Sequence, residues 1–158
     1  MLILATGGTI DKVYFDANSE YEVGESIVSQ VFADVGARLD YRLVSLMRKD
    51  SLEITAEDRK LIRAECESAA ENRIVITHGT DTMTQTAEAI MGIAGKTIVL
   101  TGSLTPARFR STDAVFNLGC ALGAAASAGA GVYVAMHGRV FEAGKVRKNR
   151  AAGRFEDL

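Results

Sequence analysis

RIVITHGTDTMTQTA, residues 73–87, decides the fold. Its first half is a β-branched run without polar alternation, which is how a strand buried on both faces reads. The run stops at His78, and His78, Gly79, Thr80, Asp81 and Thr82 follow as an unbroken polar stretch where a helix is due to begin. Outward from it lie runs of the same kind: LILAT (2–6), YRLVSLM (41–47), KTIVLTG (96–102) and GVYVAM (131–136). Between them the spacing of apolar residues predicts helices over 24–36, 55–71, 81–92 and 112–128, the second with Leu61, Ile62, Cys66, Ala69 and Ala70 on one face. Strands alternating with helices imply parallel pairing and right-handed crossovers. The expected architecture is three-layer α/β: a mostly parallel sheet with helices on both faces, of the Rossmann or flavodoxin-like kind.

A length of 158 residues suits one domain, since domains usually run to about 100–200 residues. No repeat, low-complexity tract or internal boundary interrupts the chain, and its single proline, Pro106, marks a loop after the fourth strand. With 47% hydrophobic and 24% charged residues it has the composition of a soluble globular protein, and no apolar run approaches the ~18 residues of a membrane span. The apolar start MLILATGGTI lacks a basic leader, so it reads as a first strand and the expected location is the cytoplasm. A net charge of −2 argues against a nucleic-acid partner. Cys66 and Cys120, among Ala and Leu in expected helices, read as buried structural thiols. Arg139, Lys145, Arg147, Lys148, Arg150 and Arg154 crowd the end of the chain, a run that usually forms a solvated face.

Ligands of such sheets collect beyond the carboxyl ends of the strands, where strand order reverses. Four strand ends here carry polar sequence: TGGTID (6–11), RKDSLEIT (48–55), HGTDT (78–82) and TGSLTPARFRSTD (101–113). Taken singly, each has a plain structural reading. Thr55, Asp81 and Ser111 or Thr112 are natural helix caps, and the glycines permit tight turns. ATGGTI matches neither GxGxxG nor GxxxxGK[ST], which weakens a nucleotide reading. No His, Cys and Asp cluster has metal-ligand spacing, and His78 and His137 read as structural.

Taken together, LATGGTI, HGTDTM and TGSLTPARFRSTDAVFN resemble the bacterial-type L-asparaginase/glutaminase family over Leu2 to about Phe155. The resemblance implies an amidohydrolase with no metal or cofactor, acting on a small amino-acid amide through a threonyl acyl-enzyme. It places the nucleophile on Thr9, the tyrosine of the loop that follows on Tyr21, and the serine that binds the substrate α-carboxylate on Ser51. Thr80 falls on the family's second threonine, a nucleophile or a water activator, and Asp81 on the carboxylate that pairs with the α-amino group. The lysine completing this second set aligns with Lys148. The chemistry is coherent: a zwitterionic amide needs a carboxylate for its ammonium and donors for its carboxylate. A threonine hydroxyl needs a base or relay, for which Tyr21 and Lys148 are available. Backbone N–H groups of the glycine-punctuated turns, with Gly8, Gly79 and Ser103 beside Thr9 and Thr80, can hold the oxyanion.

Residues 11–26, DKVYFDANSEYEVGES, fit neither strand nor helix and are expected to form a lid that closes Tyr21 over the substrate. The sequence departs from the family at Leu52, where a polar ligand is common, and at Arg147, where threonine is common. The family's carboxyl-terminal domain, which supplies an acid to the lid tyrosine, has no counterpart in the sequence, leaving one asparaginase-like domain over 1–158. A local acid (Glu20, Glu22 or Glu25) and a homodimer or higher homo-oligomer covering the cleft are the expected replacements. Two other readings stand beside the hydrolase: an aspartate- or asparagine-binding protein without turnover, and an amidotransferase subunit.

Overall fold

Alternation of side chains across a buried strand fixes which helices pack on which face. The computed structural model describes residues 1–15 and 20–158, with the backbone alone described at Phe15 and Glu20. In chain order its elements are β1 (Leu2–Gly7), β2 (Lys12–Phe15), β3 (Glu20–Val23), α1 (Val28–Asp34), β4 (Arg42–Lys49), α2 (Ala56–Ser68), β5 (Arg73–Thr77), α3 (Met83–Ala89), β6 (Thr97–Thr101), α4 (Ala114–Ser127), β7 (Gly131–Met136), β8 (Arg139–Glu142), β9 (Val146–Asn149) and β10 (Arg154–Asp157).

The main sheet runs β4-β1-β5-β6-β7-β8, parallel except for β8, which pairs antiparallel with β7. From β1 the chain crosses to β4 on one side and then to β5 on the other. Strand order therefore reverses at β1, and the crevice between the ends of β1 and β5 is the switch point. Leu2, Leu4, Ile74, Ile76, Ile98 and Leu100 face one side, packed with Ile62 and Cys66 of α2 and Met83 and Ala87 of α3. Ile3, Val75 and Val99 face the other, against α1 and α4. Both faces are thus covered, as expected, and each fully buried Ile or Leu contributes about 1.5–3 kcal/mol.

The helices are shorter than their apolar patterns, and Leu61 faces solvent while Ile62 and Cys66 are buried. Burial pushes the Cys66 thiol up to about 12, consistent with an inert core group. Thr55 caps α2 in a reciprocal box: its Oγ1 accepts from the Asp58 N–H at 3.2 Å, and its own N–H donates to Asp58 Oδ2 at 2.8 Å. At the other end of α2, Lys96 Nζ donates to the C-cap carbonyl of Ala69 at 2.6 Å and to the Glu71 carbonyl just beyond it at 3.0 Å.

Two hairpins correct the sequence reading. The stretch expected to be irregular pairs β2 with β3 antiparallel, Tyr14 opposite Tyr21. Residues 16–19 of the expected lid, Asn18 among them, lie outside the described residues. The basic run after β7 forms β8 and the β9–β10 hairpin, and its charges are paired: Arg139 with Asp157 at 2.6 Å, and Arg147 with Glu156 at 2.9 Å. It is a folded edge with one solvated face. Among the described residues no helix is long and apolar enough to cross a membrane.

Candidate active site

Three strand ends meet at the switch point through close backbone approach. Gly7 and Gly8 have φ of 95° and 90°, and the Gly8 N–H donates to the Lys49 carbonyl at 2.9 Å. A Cβ on Gly8 would lie 2.4 Å from the Gly79 nitrogen, and one on Gly79 would lie 2.6 Å from Ser51 Cβ. Only glycine fits at either position. The loops carrying Thr9, Ser51 and Thr80 are therefore in contact. Thr9 itself opens a short 3-10 turn, Thr9–Asp11.

Ser51 is buried under this junction. Its Oγ accepts from the Asp81 N–H at 3.2 Å, and its carbonyl accepts from Thr82 Oγ1 at 2.6 Å. Accepting at Oγ leaves the Ser51 hydroxyl proton for a further acceptor. Beneath Gly79 lies a second buried chain. His78 Nδ1 is 2.7 Å from the Gly79 carbonyl, which can only accept, so Nδ1 carries the proton and Nε2 accepts from Thr86 Oγ1 at 2.9 Å. Arg59 Nε donates to the same Thr86 hydroxyl at 3.2 Å. Burial holds His78 down at about 4, so the ring is neutral and positions the loop, the structural duty expected of it.

Lys148 arrives from the far end of the chain. Along β9 the pleat turns Val146 into the core, Arg147 out towards Glu156, and Lys148 back inward, opposite Phe155 of β10. Lys148 Nζ donates to Thr80 Oγ1 at 2.7 Å and to Asp81 Oδ1 at 2.8 Å, and Arg150 Nε stands 3.9 Å from the same Asp81 oxygen. Asp81 does not cap α3: the cap position is Thr82, with no side-chain bond to the helix.

Thr9 and Tyr21 share a neighbouring cavity of about 380 Å³, lined also by Lys12, Leu104, Pro106 and Phe109. The Tyr21 ring lies 6.0 Å from that of Phe109 and 5.5 Å from that of Tyr14. Of the acids expected to serve Tyr21, Glu25 is committed to Arg48 at 2.8 Å. Glu22 is the next residue along β3 and projects from the opposite face of the hairpin. The Glu20 side chain lies outside the described residues. Ser103 is buried and spends its hydroxyl on the Thr105 carbonyl at 2.6 Å, leaving only its backbone N–H for a ligand. Among the described residues no three His, Cys, Asp or Glu side chains are grouped as a metal ion would need.

The structure thus brings together Gly8, Ser51, Gly79, Thr80, Asp81 and Lys148, with Thr9 and Tyr21 on the adjoining cavity wall. Sequence reasoning missed the residues that brace the loop after β6. Asp113 accepts from the Leu104 N–H at 3.0 Å and the Thr105 N–H at 3.0 Å. Asn117 Nδ2 donates to the Gly102 carbonyl at 3.0 Å while its Oδ1 accepts from the His137 N–H at 2.9 Å. An asparagine inside the apolar run AVFNLGCALG was the available signal.

A profile of the asparaginase amino-terminal domain matches residues 1–155. A probable periplasmic L-asparaginase of Haemophilus influenzae is 34% identical over 161 residues, covering 92% of this chain and 45% of that protein. One component of the glutamyl-tRNA(Gln) amidotransferase of Pyrococcus furiosus is 34% identical over 149 residues, covering 86% of this chain and 33% of that protein. Among solved structures, the thermostable L-asparaginase of Thermococcus kodakarensis superposes with a TM-score of 0.85 at 28% identity, over 99% of this chain and 50% of the other. The chain spans about half the length or less of the relatives it matches.

Proposed function

This chain belongs to the asparaginase family, matching its amino-terminal domain, and from that premise we propose that it hydrolyses a small amino-acid amide, L-asparagine to L-aspartate and ammonia. The observation that carries the reading is Lys148 Nζ held between Thr80 Oγ1 at 2.7 Å and Asp81 Oδ1 at 2.8 Å, at the strand switch point and against the loop of Ser51. Neither a helix cap nor a core contact calls for that triplet.

In this reading Thr9 is the nucleophile. Its hydroxyl oxygen bonds to the amide carbon as Tyr21, on the same cavity wall, takes its proton. The proton passes to the nitrogen, the carbon–nitrogen bond breaks and ammonia leaves. Water, oriented by Thr80 and Lys148, then cleaves the threonyl ester and returns the proton to Thr9. Asp81 pairs with the substrate ammonium and the Ser51 hydroxyl with its carboxylate. The N–H groups beside Gly8, Gly79 and Ser103 face the developing oxyanion. The setting proposed is a cytoplasmic homo-oligomer, in which Glu20 or an acid of a neighbouring copy serves Tyr21 in place of Glu25, committed to Arg48, and Glu22, which projects from the other face.

A second reading, ammonia supply to a partner enzyme, is favoured by the similarity to the amidotransferase component. One experiment separates them: ammonia release from L-asparagine and L-glutamine by the purified protein, with aspartate binding in parallel. Turnover abolished by Thr9→Ala and partly kept by Thr9→Ser supports the hydrolase. Full activity in Thr9→Ala removes Thr9 from the role. Aspartate binding without ammonia release identifies a binding protein, and release only when a partner is added identifies the amidotransferase.

A further inference from the structure

Asp11 is a buried acid that the proposed reaction does not use, and it fastens three segments at once. Its N–H donates to the Gly8 carbonyl at 3.1 Å, its carbonyl accepts from the Gly24 N–H at 2.9 Å, and its Oδ1 accepts from the Ile27 N–H at 2.9 Å. Gly8 immediately precedes Thr9. Gly24 immediately follows β3, the strand of Tyr21, and Ile27 immediately precedes α1. Lys12, which opens β2, is the next residue after Asp11, so the hairpin leaves and returns at this one position. We propose that Asp11 is a positioning residue for Tyr21, pinning the base of the β2–β3 hairpin to the turn that carries Thr9. The proposal rests on the role given to Tyr21 above.

The fold alone does not call for an acid there. Asparagine could accept the Ile27 N–H without the cost of burying a charge. What an acid adds is an adjustable contact: ionised, it holds the Ile27 N–H at the cost of a buried charge, and protonated, it sheds that cost. Burial raises the Asp11 carboxyl to about 6, partly offset by the Ile27 N–H and by Arg108. The other charges near it are engaged elsewhere: Lys12 with Asp50 at 2.8 Å and Glu25 with Arg48 at 2.8 Å. The first turn of α1 carries no acid. As pH falls through about 6 the carboxyl takes up a proton and no longer buries a charge, so the closed hairpin base is favoured more; as pH rises through about 6 the base loosens.

Hydrogen exchange tests this without reference to activity. With intrinsic rates corrected at each pH, protection of the Gly24 and Ile27 amides and of the Tyr21 segment should rise about tenfold between about pH 8 and about pH 5, because opening exposes the carboxyl and gives up its proton. In Asp11→Asn it should not vary over that range, and in Asp11→Ala, which keeps the backbone bond to Gly24 but not the side-chain bond, protection at Ile27 should be low throughout. The kinetic arm reads Tyr21: Asp11→Ala should lower kcat about as much as Tyr21→Phe, and the double variant little further, because residues acting through one another are not additive. A merely structural Asp11 would lower Tm and give additive kcat losses, which would overturn the proposal. So would wild-type protection at Ile27 in Asp11→Ala. If Asp11→Ala does not fold, the pH response of wild type against Asp11→Asn decides. If the wild type releases no ammonia, the hydrolase reading fails and exchange at residues 21–27 alone decides the clamp.

Discussion

Gly8 and Gly79 touch backbone to backbone, so that a Cβ on Gly8 would stand 2.4 Å from the Gly79 nitrogen and 2.5 Å from its Cα. Each is followed directly by a threonine of the site, so this contact sets the spacing between Thr9 and Thr80. Gly8→Ala meets both the clash and a backbone conformation (φ 90°, ψ −173°) that is essentially glycine-only and costs an L-residue about 1–3 kcal/mol. In a domain of this size Tm should fall by roughly 2–12 °C. Turnover should fall further than stability does, since the site lies at the contact itself. A Gly8→Ala protein with wild-type melting and turnover would show that the loops can separate freely.

Lys148→Met keeps the aliphatic stem in its inward position on β9 and removes the ammonium that Thr80 and Asp81 share. Loss of the group that orients the attacking water with Thr80 should lower kcat by about 10²-fold or more. Lys148→Arg should not rescue, because a planar guanidinium cannot take the place of a point donor between the two oxygens. Thr80→Val combined with Lys148→Met should cost little beyond either alone. Unchanged kcat in Lys148→Met would reduce the triplet to a structural ion pair.

Asp81→Asn should weaken L-aspartate binding by ~2 kcal/mol or more if the substrate ammonium is left facing an amide. The comparison that decides is succinate, the same diacid without the ammonium, titrated against both proteins by calorimetry. Its affinity should change much less. Equal weakening of both ligands would mean that Asp81 supports the loop through Lys148 and does not contact the α-nitrogen.

β1, β5 and β6 were legible because they are uninterrupted apolar runs buried on both faces, which leaves no polar alternation to confuse them, whereas β4, expected to be the same kind of strand, lies at the sheet edge with no fully buried residue. The strand ends were legible for the complementary reason: Thr80 and Asp81 sit where apolar patterning stops abruptly. The short hairpin strands were not. β9 reads VRKN and β10 reads RFED, and in four residues a half-buried alternation cannot be told from a charged loop. EYEV in β3 does alternate, and was the one cue to the first hairpin. Resemblance placed Lys148 in the site, but its reach to Thr80 spans 68 residues and has no local signature. Asp11 was invisible as a clamp, since its partners are the backbone carbonyl of Gly8 and the backbone N–H groups of Gly24 and Ile27, which leave no trace in residue types.

Asp11 and His78 should shape the pH dependence of stability in opposite directions. Unfolded histidine takes up a proton near 6.5, whereas burial holds folded His78 down at about 4, so between these values the unfolded chain binds the extra proton and stability falls as pH falls. Asp11 is raised from 3.8 to about 6 by burial, so over nearly the same interval the folded chain binds the extra proton and stability falls as pH rises. The two contributions largely cancel, and urea midpoints of the wild type should be nearly flat between about pH 4.5 and about pH 6. Asp11→Asn removes one of them. Its stability should then fall with decreasing pH at up to ~1.4 kcal/mol per pH unit, the slope of one uncompensated proton. Below that window Asp58 and Glu71, held at about 2 chiefly by their bonds from Lys49 and Arg42, add acid loss in both proteins. Above about pH 6, Asp11→Asn should be the more stable protein, by at most ~3 kcal/mol, because it no longer buries a charge. Parallel pH curves for the two proteins would show that Asp11 does not titrate in this range, and would remove the pH arm of the clamp with it.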